Sequence, residues 1–308
     1  MPSGVIRVGT RASALAMAQA RWVTGELTRR HPGLKCILVR VKTQGDAVRD
    51  RPLDQLGGLG AFAKELEQAL LEGRIDLAVH SLKDLPTQLA PGLTLAAVPA
   101  RGDPRDALAA SPGTTLASLP GGAVVATGSL RRRAQLQRRR PDLDYRPIRG
   151  NLPTRLARLA DGRAAAVVLA VAGLERLELS RRIAEVLDPA VCLPAVGQGA
   201  LGVEIRTDDR RLGELTSALD HPPSSQACRA ERSFLLRLGG GCSLPVGALA
   251  RVEGQGLVLE GVVVAPDGGG LVRRAHRGTA RDPEGLGEAL AEEMLAAGGA
   301  EILKGLTA

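Results

Sequence analysis

Up to about residue 205 the chain alternates short apolar runs with longer amphipathic ones, and this rhythm restricts the fold more than any other feature. Strand-like runs fall at 5–8, 36–41, 75–79, 93–98, 123–126, 145–148 and 166–170. Helical patterns fall between them at 13–30, 62–72, 129–140, 152–160 and 174–179. Such units bury both apolar faces by stacking helices on the two sides of a largely parallel sheet. Ligands of these sheets sit at the carboxyl ends of strands, next to helix N-termini. Two Pro/Gly-rich stretches, 99–104 and 194–199, read as crossings by which the chain enters a second lobe and returns. After His221-Pro-Pro223 the pattern changes to a helix at 225–238, strand-like runs at 246–252, 257–264 and 271–278, and a last helix at 283–297. Gly/Pro turns between those runs predict an antiparallel sheet in a small domain. The expected fold class is α/β, two lobes with mixed, largely parallel sheets plus a small α+β C-terminal domain. The expected boundaries are 1–99 with 200–217, 100–199, and 218–308.

Charge narrows the partners. Lys and Arg number 41 against 33 Asp and Glu, a formal charge of +8 that suits anionic ligands. Two Phe, one Tyr and one Trp cannot furnish stacking platforms for nucleic-acid bases. No apolar run reaches the roughly 18–20 residues of a membrane span. Arg7 stands where a secretory signal needs an apolar core, so a cytoplasmic protein is expected. The four Cys (36, 192, 228 and 242) show no metal spacing, and no metal is expected. Cys36, Cys192 and Cys228 lie in apolar contexts and read as buried small hydrophobes. Cys242 lies in a loop between Gly239-Gly-Gly241 and Ser243-Leu-Pro245.

Three helix starts carry an Arg where it is unfavourable. Ser13 opens one helix beside Arg11, Ser129 another beside Arg131 and Arg132, and Asn151 a third ahead of Arg155. Ser and Asn are good N-caps, but a cation at the positive end of the helix dipole is unfavourable unless an anion joins it. Cap, free N–H groups and Arg together form an anion site. Three such sites predict one ligand with several carboxylates or phosphates, with Arg149 and Arg176 expected in similar strand-to-helix turns. If so, replacing Arg131 or Arg155 by Leu should weaken binding and leave stability nearly unchanged. His80-Ser-Leu-Lys-Asp-Leu-Pro86 follows the 75–79 run, which puts Asp84 and Lys83 at a strand's carboxyl end. A carboxylate there can hold a developing cation and exchange a proton with a leaving group.

These segments carry a resemblance. Gly9–Ala16, Lys42–Asp46, Phe62–Glu67, His80–Pro86, Ser129–Arg132, Arg149–Asn151, Thr154–Leu156, Ala172–Leu174 with Arg176, Pro194–Ala200 and Gly240–Cys242 with Pro245 occur in the order found in the porphobilinogen deaminase (hydroxymethylbilane synthase) family. The chain resembles that family from end to end. The resemblance implies two periplasmic-binding-protein-like lobes, a third domain carrying the loop cysteine, and a monomer acting without nucleic acid or membrane. It implies a dipyrromethane cofactor bound through a thioether to Cys242. Porphobilinogen, the substrate, is added to this primer four times with loss of ammonia, and water then releases the linear tetrapyrrole hydroxymethylbilane. It implies Asp84 as the catalytic carboxylate and cofactor contacts from Lys83, Ser129, Arg131, Arg132, Asp46, Thr127 and Gly150. Substrate contacts are implied for Arg11, Ser13, Arg149, Arg155, Arg176 and Gln198. Two positions depart from the family pattern. Leu59 stands for a lysine in Gly57-Gly-Leu-Gly60, and Gly128 for a serine, which removes a hydroxyl beside Ser129 and is expected to weaken one carboxylate contact. The rival reading, a two-lobed small-anion-binding protein without catalysis, gives no reason for Gly-Gly-Cys.

Overall fold

The structure is a computed structural model, which describes residues 5–43, 63–240 and 244–305. One sheet is built from β1 (Val5–Arg11), β2 (Lys35–Val41), β3 (Leu77–Ser81), β4 (Leu93–Ala97) and β10 (Leu201–Arg206), in the order β2-β1-β3-β10-β4. A second contains β5 (Asp106–Ala110), β6 (Val124–Ala126), β7 (Asp144–Arg146), β8 (Ala166–Ala170) and β9 (Ile183–Val186), in the order β7-β6-β8-β5-β9. The two share one plan. β1 runs parallel to β2 and β3, and β6 parallel to β7 and β8. The fourth position is antiparallel to both its neighbours, and it is filled by β10 in one sheet and β5 in the other. Each of these two strands begins just after a Pro/Gly-rich crossing. β5, β9 and β10 lie outside the runs that the sequence predicts as strands. Their sequences, DALAA, IAEV and LGVEIR, break the apolar run with an acid or dilute it with Ala and Gly.

The helices cover both faces of each sheet. On the first sheet, α1 (Ala14–Arg30) buries Ala20, Val23 and Leu27 at helical spacing against Val8, Leu77, Val79 and Val203. Ser13 caps α1 by accepting from the Ala16 N–H at 3.3 Å. The opposite face packs α2 (Lys64–Leu71) through Leu66, Ala69 and Leu70 onto Val41, Ile75 and Ala78. On the second sheet, α3 (Leu130–Arg139) packs through Leu136 on one face. α4 (Leu152–Ala160) and α5 (Val171–Arg176) pack through Leu156 and Leu174 on the other. α5 lies earlier in the chain than the predicted 174–179, so Arg176 closes a helix instead of opening one.

After α6 (Arg210–Ser217), α7 (Pro222–Arg237) and α8 (Pro283–Met294) pack on an antiparallel sheet of β11 (Val246–Glu253), β12 (Gly256–Val264) and β13 (Leu271–Thr279). The last helix, α9 (Ala300–Lys304), follows a π turn. The chain forms two compact units, Met1–Arg101 with Ala200–Ser225 and Gly102–Gly199 with Gln226–Ala308. Within the second unit the small sheet is fastened to the chain segment ahead of β10. The Ala248 N–H donates to the Pro194 carbonyl at 3.0 Å. The buried Glu231 carboxylate accepts from Gly197 N at 2.7 Å and Ala250 N at 2.8 Å.

Candidate active site

In the first unit a cleft forms where β1 and β3 end and α1 begins. Arg11, Ser13, Gln19, His80, Ser81 and Asp84 line it. Asp84 ends a single 3-10 turn, Leu82–Asp84, that follows β3 directly and is seated by the Leu82 N–H on the Ala200 carbonyl at 3.0 Å. Lys83 is half-buried in the same turn. Sequence reasoning brought Arg11, Ser13, Lys83 and Asp84 to this end of the sheet and missed Gln19. The buried Gln19 amide donates to the Ser81 hydroxyl at 2.8 Å, a contact across 62 residues with no local signature.

In the second unit Ser129 caps α3, accepting from the Arg132 N–H at 3.4 Å. The buried Thr127 hydroxyl accepts from the Ser129 N–H at 3.2 Å. Arg131 and Arg132 turn inward to Asp106 at the start of β5, which is wholly buried. Arg131 Nη1 lies 2.8 Å from one carboxylate oxygen, and Arg132 Nη2 2.7 Å from the other. Arg132 Nε and the Gln198 amide add donors to that second oxygen at 2.9 and 2.7 Å. Burial opposes the charge on Asp106, but Arg131 and Arg132 outweigh it and hold the carboxyl well below the usual range. The Cys192 thiol, 3.4 Å from Asp106, is pushed up to about 12 by burial and by that carboxylate.

The expectation that Arg131 leaves stability untouched is therefore corrected. Its guanidinium is a member of a buried ion pair, and removing one partner of such a pair costs about 3–5 kcal/mol. We expect Arg131→Leu to lower the melting temperature by roughly 10 °C, at about 2–4 °C per kcal/mol for a protein of this size. Arg155 is only half-buried, and its Nε donates to the Gly150 carbonyl at 2.8 Å. Arg155→Leu should shift the transition by no more than about 2–4 °C, a loss near 1 kcal/mol. Thermal denaturation of the two variants side by side checks this.

The third predicted helix cap, that of Asn151, also forms. Gly150 has φ +99°, a conformation that suits glycine. It delivers Asn151 to cap α4, where the Asn151 side chain accepts from Thr154 N at 3.0 Å. Arg149 is half-buried beside it. Gly128 has a reason beyond a missing hydroxyl. A Cβ there would lie 2.6 Å from the Ile148 carbonyl oxygen and within 4 Å of the Arg155 guanidinium, so a serine needs the backbone to move first. Arg176 donates to the Gly199 carbonyl at 2.6 Å. Burial weakens its hold on the proton, and no carboxylate among the described residues is ion-paired to it.

Cys192 and Cys228 are buried as expected, whereas Cys36 is only half-buried. Cys242, Asp46 and Leu59 lie outside the described residues. The chain leading to Cys242 is described as far as Gly240. Gly239 (φ +103°) and Gly240 (φ +70°) terminate α7, with their N–H groups on the Leu236 and Leu235 carbonyls. Two of the three glycines before the cysteine are thus a helix stop. Among the described residues no group of three or more His, Cys, Asp or Glu is arranged to hold a metal ion, and no helix is long and apolar enough to cross a membrane.

These features suit carboxylate groups. The Arg131 Nε is buried without a hydrogen-bond partner among the described residues. Arg176 is a half-buried cation resting on a carbonyl, and three capped helix starts carry cations. The profile described as porphobilinogen deaminase, dipyromethane cofactor binding domain, matches residues 6–214, and that of the porphobilinogen deaminase C-terminal domain matches residues 225–296. The chain belongs to the porphobilinogen deaminase family. The porphobilinogen deaminase of Roseiflexus castenholzii is 53% identical over 300 residues, 97% of this chain and 99% of its own. That of Moorella thermoacetica is 52% identical over 299 residues, 97% of this chain and 96% of its own. A solved methionine-binding protein, MetQ, is similar at 16% identity, with a TM-score of 0.45 over 72% of this chain and 90% of its own. Porphobilinogen deaminases are transferases whose dipyrromethane cofactor is held covalently through a cysteine.

Proposed function

We infer that this chain carries out the family reaction: stepwise condensation of four porphobilinogen molecules onto a covalent dipyrromethane primer, then hydrolytic release of hydroxymethylbilane. Asp84 is the catalytic carboxylate and Cys242 the anchor. The observation that supports this best is the cleft of the first unit, where Asp84 meets Arg11 and the capped start of α1. When bound, the dipyrromethane supplies the pyrrole α-carbon to which new units are joined. Arg11 and the N–H groups at the start of α1 bind substrate carboxylates, since cation and helix dipole act together there. Asp84 donates a proton to the leaving amine and, once ionised, steadies the positive charge that spreads to the pyrrole N–H of the substrate. Ser129, Arg131, Arg132, Thr127, Gly150 and Lys83 hold cofactor carboxylates, and Asp46 also contacts the cofactor. Ser13, Arg149, Arg155, Arg176 and Gln198 serve the substrate and the growing chain.

Arg131 and Arg132 need not leave Asp106 for this. Asp106 fixes the guanidinium planes, and the buried Arg131 Nε retains a proton to donate. A cytoplasmic monomer built from the three segments 1–99 with 200–217, 100–199 and 218–308 completes the reading. Intact mass of the purified chain tests it. A dipyrromethane increment should be present, and added porphobilinogen should produce further increments of one to three units. A bare chain that acquires no increment favours the non-catalytic anion binder.

A further inference from the structure

The Pro/Gly-rich crossing ahead of β10 carries a polar side chain without solvent exposure, that of Gln198. Gly197 (φ +67°) and Gly199 (φ +85°) flank it, both in the left-handed region that suits glycine. The Gly197 N–H donates to the Glu231 carboxylate at 2.7 Å. The Gly199 carbonyl accepts from Gly102 N at 3.2 Å and from Arg176 Nη2 at 2.6 Å. A Cβ at Gly199 would lie 2.6 Å from the Gly102 carbonyl oxygen, so the two crossings approach more closely there than a side chain allows. The backbone on either side of Gln198 is therefore fixed, and its side chain is delivered against the segment that leads into β5.

Both N–H groups of the Gln198 amide are engaged. One donates to the Pro104 carbonyl and the other to Asp106 Oδ1, each at 2.7 Å. The amide oxygen accepts from Arg132 Nη2 at 3.3 Å, and the same Arg132 nitrogen donates to Asp106 Oδ1 at 2.7 Å. Gln198, Asp106 and Arg132 thus close a ring of hydrogen bonds, in which each contact limits the freedom of the other two. Arg132 Nη1 donates to the Val168 carbonyl at 3.0 Å. A guanidinium has five N–H groups. In Arg132 the one on Nε, both on Nη2 and one on Nη1 are taken among the described residues. One N–H on Nη1 remains, and the ring determines where it points. Asp106 offsets only one of the two guanidinium charges of Arg131 and Arg132, so the group keeps a positive charge for an anion.

We propose that Gln198 is a positioning residue for the dipyrromethane cofactor: it touches no ligand itself, and with Asp106 it holds Arg132 so that the remaining Nη1 proton meets a cofactor carboxylate. Gln198 then serves the growing chain at one remove. This rests on the assignment of Arg132 to the cofactor.

The test is the rate at which the full chain, produced in cells that make no porphobilinogen, gains the dipyrromethane increment once porphobilinogen is added, followed by intact mass. KM for porphobilinogen is then measured on the loaded chain. Gln198→Met keeps the length of the side chain and removes its hydrogen bonds. It is expected to load at least about fivefold more slowly than wild type, as the loss of one or two net hydrogen bonds implies. Its KM should stay within about twofold of wild type, because no substrate contact is lost. A KM raised beyond that, or loading at the wild-type rate, overturns the proposal: the first marks direct substrate contact, the second a purely structural part. A wild-type chain that gains no increment overturns the cofactor assignment and the proposal together, so the two failures are distinct. If Gln198→Met does not accumulate as folded protein, a crystal structure of the wild-type holoenzyme decides. The Gln198 amide should remain on Pro104 and Asp106, and Arg132 Nη1 should donate to a cofactor carboxylate. An Arg132 Nη1 without that contact, or a cofactor or substrate atom within hydrogen-bond distance of the Gln198 side chain, overturns the proposal.

Discussion

Asp84→Asn is expected to give a folded, cofactor-bearing protein whose kcat falls by about 10²–10³-fold, the usual cost of removing one well-placed electrostatic group from a reacting centre. Asn keeps the shape of the side chain but cannot deliver the proton to the leaving amine or carry the charge that follows. The effect on folding should be small, because Asp84 is half-buried at the end of a 3-10 turn whose backbone bonds do not involve its carboxylate. Steady-state kinetics with occupancy measured in parallel separates the two. A loss of no more than tenfold corresponds to only about 1.4 kcal/mol of barrier, too little for a carboxylate acting at the reacting atoms.

The other large effect is expected at Cys242. Cys242→Ser should abolish the Ehrlich-positive chromophore, its mass increment and turnover together, because a serine hydroxyl lacks the nucleophilicity of a thiolate. Cys36→Ser, Cys192→Ser and Cys228→Ser should retain all three. Their surroundings explain why. Cys228 is buried, the Cys192 thiol is held in its neutral form by burial beside Asp106, and burial also raises Cys36. Chromophore surviving in Cys242→Ser, or lost from one of the other variants while it remains folded, would move the anchor elsewhere.

What could be read from the sequence divides along a physical line. Ser13, Ser129 and Asn151 were recognisable as caps because capping chemistry operates over three residues, and all three accept a backbone N–H in the structure. Asp84 was placed correctly because a buried strand ends just before it. The fate of Arg131 and Arg132 was hidden. Their partner lies 25 and 26 residues earlier, at the head of an Ala-rich strand that reaches them only when β5 inserts between β8 and β9. Gln198 and Cys192 join the same carboxylate from 92 and 86 residues away. The dyad of His80 and Glu204, 124 residues apart, is of the same kind. Gly128 reads as a lost hydroxyl in sequence and as a close backbone approach in space, a distinction that requires the Ile148 carbonyl to be located.

The position of β10 between β3 and β4 bears on how the protein is made. On the ribosome, β1 to β4 emerge some hundred residues before the strand that joins β3 to β4. Until residue 206 has been synthesised, the first unit holds two unpaired inner strand edges, the surfaces most prone to pairing with another chain. The second sheet has no such debt, since all five of its strands lie within one continuous stretch, residues 106–186. It can therefore close first, while the N-terminal unit waits. A nascent chain truncated between residues 187 and 200, with the second sheet complete and β10 still missing, should accordingly need a chaperone most at its oldest end.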